Sequence, residues 1–254
     1  MAAPGAALPA IVIVGPGRVG GSLAAAAQGT SLNVHLAGRD DAAAAYREAE
    51  VALLAVPDAA IGEAAEIAAA AVPPLRLVGH ASGATGLDAL APCAAAGAAT
   101  FSLHPLQTVP RPDTDLTAAP CAVSGSNADA EDFARTLAER LGMRPFPVAE
   151  EHRAAYHAAA SIASNFLVAL EESAAELLTR AGAEDARDLL APLVLRTASN
   201  WAEDGAAALT GPIARGDEAT VARHRAAIED VAPELAALYE ALAERTREIA
   251  RHRP

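Results

Sequence analysis

The sequence contains no lysine; every one of its 19 basic residues is an arginine. A Schiff base to a protein amine and a lysine general acid are therefore excluded. Cysteine occurs twice, at Cys93 and Cys121, in neither a C-x-x-C pair nor a disulfide pattern. Reduced, buried thiols are expected. Aromatic residues make up only 3%, so the 52% hydrophobic content is carried largely by alanine. No run of about 18 bulky apolar residues is present, and no transmembrane helix is expected. Clustered positive charge is missing too: the net charge is −13. That argues against a duplex nucleic-acid binder and against binding to an anionic membrane. No set of Cys, His and carboxylates has metal-ligand spacing, so no metal is expected. Met1–Ala10 lacks a basic region before the first apolar run, which argues against a signal peptide and for a cytoplasmic protein.

What is present begins with Ile11-Val12-Ile13-Val14-Gly15-Pro16-Gly17-Arg18-Val19-Gly20. Four β-branched residues without polar alternation suit a strand buried on both faces, as in a parallel sheet. They run into G-x-G-x-x-G and then an Ala-rich helical segment, Arg18 to Gln28. Gly15 allows the tight strand-to-helix turn, Gly17 a close approach of backbone to pyrophosphate, and Gly20 tight packing of helix on strand. The helix N-terminus then points free N–H groups at the anion. Strand before and helix after give this short motif the context of a dinucleotide site.

A second strand, Leu32 to Ala37, ends at Gly38-Arg39-Asp40. In NAD-preferring folds an acidic residue near this point binds the ribose 2′-hydroxyl. Here a guanidinium stands there, which suits a 2′-phosphate and predicts NADP(H). The alternative leaves Arg39 in solvent, with Asp40 or Asp41 facing the ribose. Further strands are predicted at Val51–Val56, Leu75–Val78 and Ala99–Leu103. They open onto Pro57-Asp58, onto His80-Ala81-Ser82-Gly83 and onto His104-Pro105. Cys121–Ser124 and Pro145–Val148 read as late edge strands flanking a helix, Ala128–Leu141. The alternation predicts an α/β fold: an N-terminal Rossmann-type, doubly wound, mostly parallel sheet over 1–149, followed by an all-α domain over 150–254. Ligands sit at the carboxyl ends of such strands, so Val56, Pro57, His80 and Ser82 join the glycine loop as candidate cofactor contacts.

From Glu150 on, only helices are expected, punctuated at Gly182, Pro192, Gly205, Gly211-Pro212 and Pro233. A helix over Glu151–Arg180, buried nearly all round, carries His157, Ser161, Ser164 and Asn165 at i, i+4, i+7 and i+8, one helical face. A polar stripe on a buried helix needs partners or a ligand. His157 is the first candidate for general acid or base and His104 the second, with Asn165 orienting a carbonyl or imine. The bland alternative makes His157 a satisfied core histidine. Leu209 to Asp217 is rich in turn residues, and its Arg215 is a candidate for a substrate carboxylate. A plain helix–helix loop, with Asp217 as cap, is the competing reading.

These residues carry a resemblance. The glycine loop, Ala55-Val56-Pro57, His80-Ala81-Ser82-Gly83, Ser102-Leu103-His104-Pro105, Tyr156-His157 with Ser164-Asn165, and Leu209-Thr210-Gly211-Pro212 with Arg215-Gly216-Asp217 resemble one family. It comprises bacterial oxidoreductases that join a Rossmann-like domain to a C-terminal domain of unknown function. Its plan is similar to those of pyrroline-5-carboxylate reductase, prephenate dehydrogenase, ketopantoate reductase and the 3-hydroxyisobutyrate/6-phosphogluconate dehydrogenases. The resemblance implies a homodimer through the helical domain and hydride transfer between NADP(H) and a small carbonyl or imino acid. The 3-hydroxyacid dehydrogenases use a helix lysine four residues before an asparagine; here Ser161 holds that place before Asn165. A histidine acid, protonation by water, or an imine that arrives protonated fits a chain without lysine. The rival expectation is an NADP(H)-binding sensor without turnover.

Overall fold

The computed structural model describes residues 8–252. Residues 1–7, and with them most of the Met1–Ala10 reading, lie outside the described residues. The chain divides into two compact units, 1–161 and 162–254. The division falls near the end of a helix over Arg153–Ala163, twelve residues beyond the predicted boundary at 149.

The first unit is built on a seven-stranded sheet. Its strands are β1 Ile11–Val14, β2 Val34–Ala37, β3 Val51–Leu54, β4 Leu77–His80, β5 Ala99–Pro105, β6 Pro120–Gly125 and β7 Arg144–Pro147. Their order is β2-β1-β3-β4-β5-β6-β7. The first five are parallel neighbours, β6 runs antiparallel to β5, and β7 is parallel to β6. The late strand at Cys121–Ser124 is therefore not an edge: β6 lies between β5 and β7, and only β7 closes that side. The chain turns back between β2 and β3, so the crevice of this sheet opens at the carboxyl ends of β1 and β3.

Successive strand residues face opposite sides, and here both sides are apolar. Ile11 and Ile13 of β1 join Leu53, Phe101 and Val123 on one face, under helices α1 (Arg18–Ala27) and later α5 (Ala128–Arg140). Val12 and Val14 join Leu54 and Val78 on the other, under α3 (Ile61–Ala69) and α4 (Ala91–Ala95). A short helix, α2 (Ala42–Ala45), links β2 to β3. Asn127 caps α5 by accepting from the Ala130 amide at 2.9 Å. Both cysteines are buried and unpaired.

After β7 the chain is helical: α6 Arg153–Ala163, α7 Asn165–Arg180, α8 Ala186–Asp204, α9 Pro212–Arg215, α10 Glu218–Val231 and α11 Ala236–Arg251. Three expectations are corrected here. The single helix over Glu151–Arg180 is two helices, broken at Ser164, where φ is −125° and ψ is −75°. The Ser164 carbonyl starts α7 by accepting from the Val168 amide, and the Ser164 hydroxyl turns to Asn165 Oδ1 at 2.8 Å. Such local side-chain bonds compete with helix continuation. Nor is the segment buried all round: Phe166 and Val168 are 62% and 63% exposed. Pro192 lies inside α8 instead of ending it, while Gly182, Gly205, Gly211 and Pro233 do mark element ends. Asp217 caps α10, accepting from the Thr220 amide at 3.0 Å. Among the described residues no helix is long and apolar enough to cross a membrane.

Candidate functional site

Gly15 leaves β1 with φ +110°, a backbone conformation that side chains rarely adopt. A Cβ there would stand 2.5 Å from the Ala55 carbonyl oxygen beyond β3. A Cβ on Gly20 would lie 2.0 Å from the Gly15 carbonyl oxygen, so α1 packs directly on the loop that precedes it. Gly17 differs: nothing lies within 4 Å of a Cβ built on it. Gly17 is also the cap position of α1, yet no side chain caps that helix and its first turn holds no carboxylate. With Pro16 and Arg18 exposed and Val19 half-buried, the loop presents bare backbone N–H groups on an open side. This cradle suits a diphosphate.

Beside the cradle is a slot of about 270 Å³ lined by Val14, Val56, Pro57, Ala60, Ala64 and Ile67, with Arg39 and Glu63 also on its wall. Whole-ligand pockets run to ~300–1,000 Å³. The slot is thus sized for one ring of a larger ligand. Arg39, two residues beyond β2, pairs with Glu63 in the first turn of α3. Asp41 stands at the start of α2 and caps nothing with its side chain. Glycine loop, apolar slot and guanidinium together fit an adenine dinucleotide.

A second polar group gathers at the ends of β4 and β5. His104 Nδ1 lies 2.6 Å from the Tyr156 hydroxyl. The His104 ring packs on Gly83, where a Cβ would come within 2.6 Å of its Cε1. The His157 ring meets that of His104 edge-on, centroids 6.3 Å apart. Burial, then the neighbouring His157 and Arg153, lowers the pKa of His104 to about 4. The imidazole is neutral at neutral pH, with one ring nitrogen a donor and the other an acceptor. Burial likewise pushes the Tyr156 hydroxyl up to about 12.

His80 is fully buried, and its Nε2 contacts the Gly86 carbonyl at 3.3 Å. Burial lowers its pKa to about 4 as well. The Ser82 hydroxyl accepts from the amides of Ala84 and Thr85 at 3.2 and 3.0 Å. Both side chains therefore shape the 82–86 turn against which His104 packs.

Sequence reasoning missed the centre of this arrangement. Arg153, the first residue of α6, is only 3% exposed. Its Nε donates to Glu150 Oε1 at 3.1 Å. Its Nη2 donates to the hydroxyls of Ser102 and Ser124, each at 2.7 Å. Glu150 also accepts from the Ser124 hydroxyl at 2.6 Å and the Leu87 amide at 2.8 Å. Ser102 and Ser124 are register partners on β5 and β6. The network pins the start of α6, and so Tyr156 and His157, to the sheet. The signal was two serines in apolar strands and an E-x-x-R at a helix start.

His104, Tyr156 and His157 thus come together, and Ser161 remains on α6 one turn beyond His157. The break at Ser164 takes Ser164 and Asn165 off that face, and Asn165 is exposed at the start of α7. Arg215 is exposed at the end of α9, near enough to Asp217 to help lower that carboxyl's pKa.

A strand–glycine loop–helix at the switch point of a parallel sheet, in a chain that continues as helices, defines a Rossmann-type protein with a helical C-terminal unit. The chain belongs to the family carrying the domain of unknown function DUF2520, whose profile matches residues 119–246. A Rossmann-like domain profile matches residues 33–105. A Bacteroides fragilis protein, provisionally named an NADP oxidoreductase, is 24% identical with a TM-score of 0.74, over 94% of this chain and 98% of its own. A Thermotoga maritima protein is 22% identical with a TM-score of 0.73, over 95% and 98%. A Plasmodium falciparum pyrroline carboxylate reductase with NADP bound is 13% identical with a TM-score of 0.60, over 97% and 100%. These are likenesses of fold. No curated protein matches the chain.

Proposed function

We propose that this protein is an NADP(H)-dependent oxidoreductase acting on a small carbonyl or imino acid. The observation that carries the reading is Gly15, locked at positive φ against Ala55, with the uncapped start of α1 beside the Arg39 slot. Solved structures of the same fold include the reductase with NADP above and an Aspergillus terreus reductive aminase with NADPH, which lends support.

When bound, the nicotinamide supplies or takes the hydride. The chain's own residues do the rest. Gly15, Pro16, Gly17, Arg18, Val19 and Gly20 hold the diphosphate, Arg39 the 2′-phosphate, and Val56 and Pro57 wall the slot. The turn shaped by His80 and Ser82 borders the reacting end. A carbonyl that gains hydride needs one proton at oxygen, and without lysine the donor is His157 or the His104–Tyr156 pair. Ser161, one turn beyond His157 on α6, completes the proposal as a substrate contact. The protein works in the cytoplasm as a homodimer through its helical unit; exposed Phe166, Val168, Leu193, Leu195 and Trp201 support a partner there.

The test is thermal stabilisation by NADPH, NADP+, NADH and NAD+, alone and then with a panel of small keto- and imino-acids. A shift with NADPH that grows with one acid names cofactor and substrate class together. No shift with any nucleotide overturns the reading. Nucleotide binding with no turnover of any acid favours a sensor.

A further inference from the structure

Arg39 is the cation of the slot, and it is already engaged. Its guanidinium pairs with Glu63, which reaches across from the first turn of α3, and both residues line the slot. Asp40 and Asp41 follow Arg39 directly in the sequence. On the slot wall the carboxylate that partners the guanidinium is Glu63. The Arg39 and Glu63 side chains are 73% and 58% exposed, so either can swing away at small cost.

We propose that Glu63 sets the discrimination between phosphorylated and unphosphorylated dinucleotides, by competing with the 2′-phosphate for Arg39. The inference rests on the dinucleotide reading above. A 2′-phosphate carries close to two negative charges at neutral pH. To reach the guanidinium it must displace the Glu63 carboxylate and then sit beside it. A ribose 2′-hydroxyl meets neither obstacle: it is uncharged, and it can donate a hydrogen bond to that carboxylate. Glu63 thus holds back the phosphorylated cofactor while favouring the unphosphorylated one. Arg39 alone, read from the sequence, predicts a stronger preference for the phosphate than the pair delivers.

The test is a double-variant cycle read by calorimetric titration of the full-length protein with NADP+ and NAD+, then with 2′,5′-ADP and 5′-ADP as probes of the adenine end. Glu63→Gln is expected to tighten NADP+ by about two- to fivefold, the range an exposed ion pair spans, and to leave NAD+ unchanged or weaker. In an Arg39→Met background the same change should no longer tighten NADP+ through Arg39, and the gain should largely vanish. Both residues are exposed, so the variants should fold, and circular dichroism with the melting temperature checks this. A Glu63→Gln protein with an unchanged NADP+/NAD+ ratio overturns the proposal, as does a gain that persists in full without Arg39. Wild-type protein that binds none of the four ligands overturns the dinucleotide reading itself, a failure visible before any variant is made.

Discussion

His104 Nδ1 and the Tyr156 hydroxyl stand 2.6 Å apart, one at the carboxyl end of β5 and the other early in α6. Burial depresses the histidine pKa to about 4 and raises the tyrosine pKa to about 12. Across the ordinary pH range the pair is therefore neutral on both sides. A neutral pair can pass a proton along without leaving a buried charge behind, provided each partner has a second hydrogen bond to exchange.

Tyr156→Phe removes the hydroxyl and keeps the ring that packs edge-on against Phe146. On the proposed function, kcat/KM should fall by about 100-fold, the low end for a lost proton-handling group, with NADPH affinity within about twofold of wild type. His157→Ala should likewise cost turnover and spare affinity. Steady-state kinetics with the substrate found by stabilisation, alongside calorimetry, checks both. Unchanged turnover in Tyr156→Phe makes the pair structural.

Arg153 makes a stability prediction that does not depend on function. Arg153→Met leaves Glu150 without its cation and the Ser102 and Ser124 hydroxyls without their charged donor. The Glu150 side chain is 36% exposed, so the carboxylate left behind stays partly hydrated and the loss should be about 1–3 kcal/mol. Arg153→Lys should recover little, because one ammonium cannot replace a planar fork that reaches a carboxylate and two hydroxyls. The urea midpoint reads the loss, and a midpoint near wild type for the methionine variant would show the network to be dispensable.

The two halves of this arrangement were not equally legible in the sequence. Ile11–Val14 are apolar on both faces and run into glycines, so strand, turn and helix announce each other locally, and Arg39 follows at a fixed spacing. The Arg153 network depends on β6 lying antiparallel beside β5, and that long-range pairing sets Ser102 opposite Ser124. Nothing near either serine encodes it. The break at Ser164 was hidden for a related reason. Alanines and aliphatic residues on both sides favour helix, and the competing signal is one Ser-Asn step. Apolar residues at 162–168 read as buried because hydrophobic pattern alone does not say whether a face is covered.

Acid sensitivity follows from His80 and His104, whose folded-state pKa values of about 4 lie below the ordinary 6.5. Between those values the unfolded chain binds protons that the folded chain refuses, so stability rises with pH across this window. The contribution is complete above pH ~6.5 and is lost as pH falls toward 4, with a limiting slope of about 1.4 kcal/mol per pH unit for each histidine. Carboxylates titrate in the same window, so the comparison is between wild type and His104→Gln. The variant should lose close to one proton's worth of slope in urea midpoints measured from pH 4.5 to 7. Parallel curves would mean that His104 is protonated in the folded protein.

The glycine loop separates what the fold needs from what a ligand needs. At Gly15 a methyl group meets the Ala55 carbonyl oxygen at 2.5 Å while φ is +110°. Gly15→Ala should therefore cost about 1–3 kcal/mol in backbone strain alone and lower the melting temperature with no nucleotide present. At Gly17 the same methyl group enters open space, on backbone with φ −76° that any residue adopts. Gly17→Ala should keep stability within about 1 kcal/mol of wild type. The added methyl nonetheless stands where a pyrophosphate would approach the backbone, so stabilisation by NADPH should shrink sharply. An unfolded Gly17→Ala protein would mean that the open side of the loop is structural. A folded one that still binds NADPH as wild type does would place the diphosphate elsewhere.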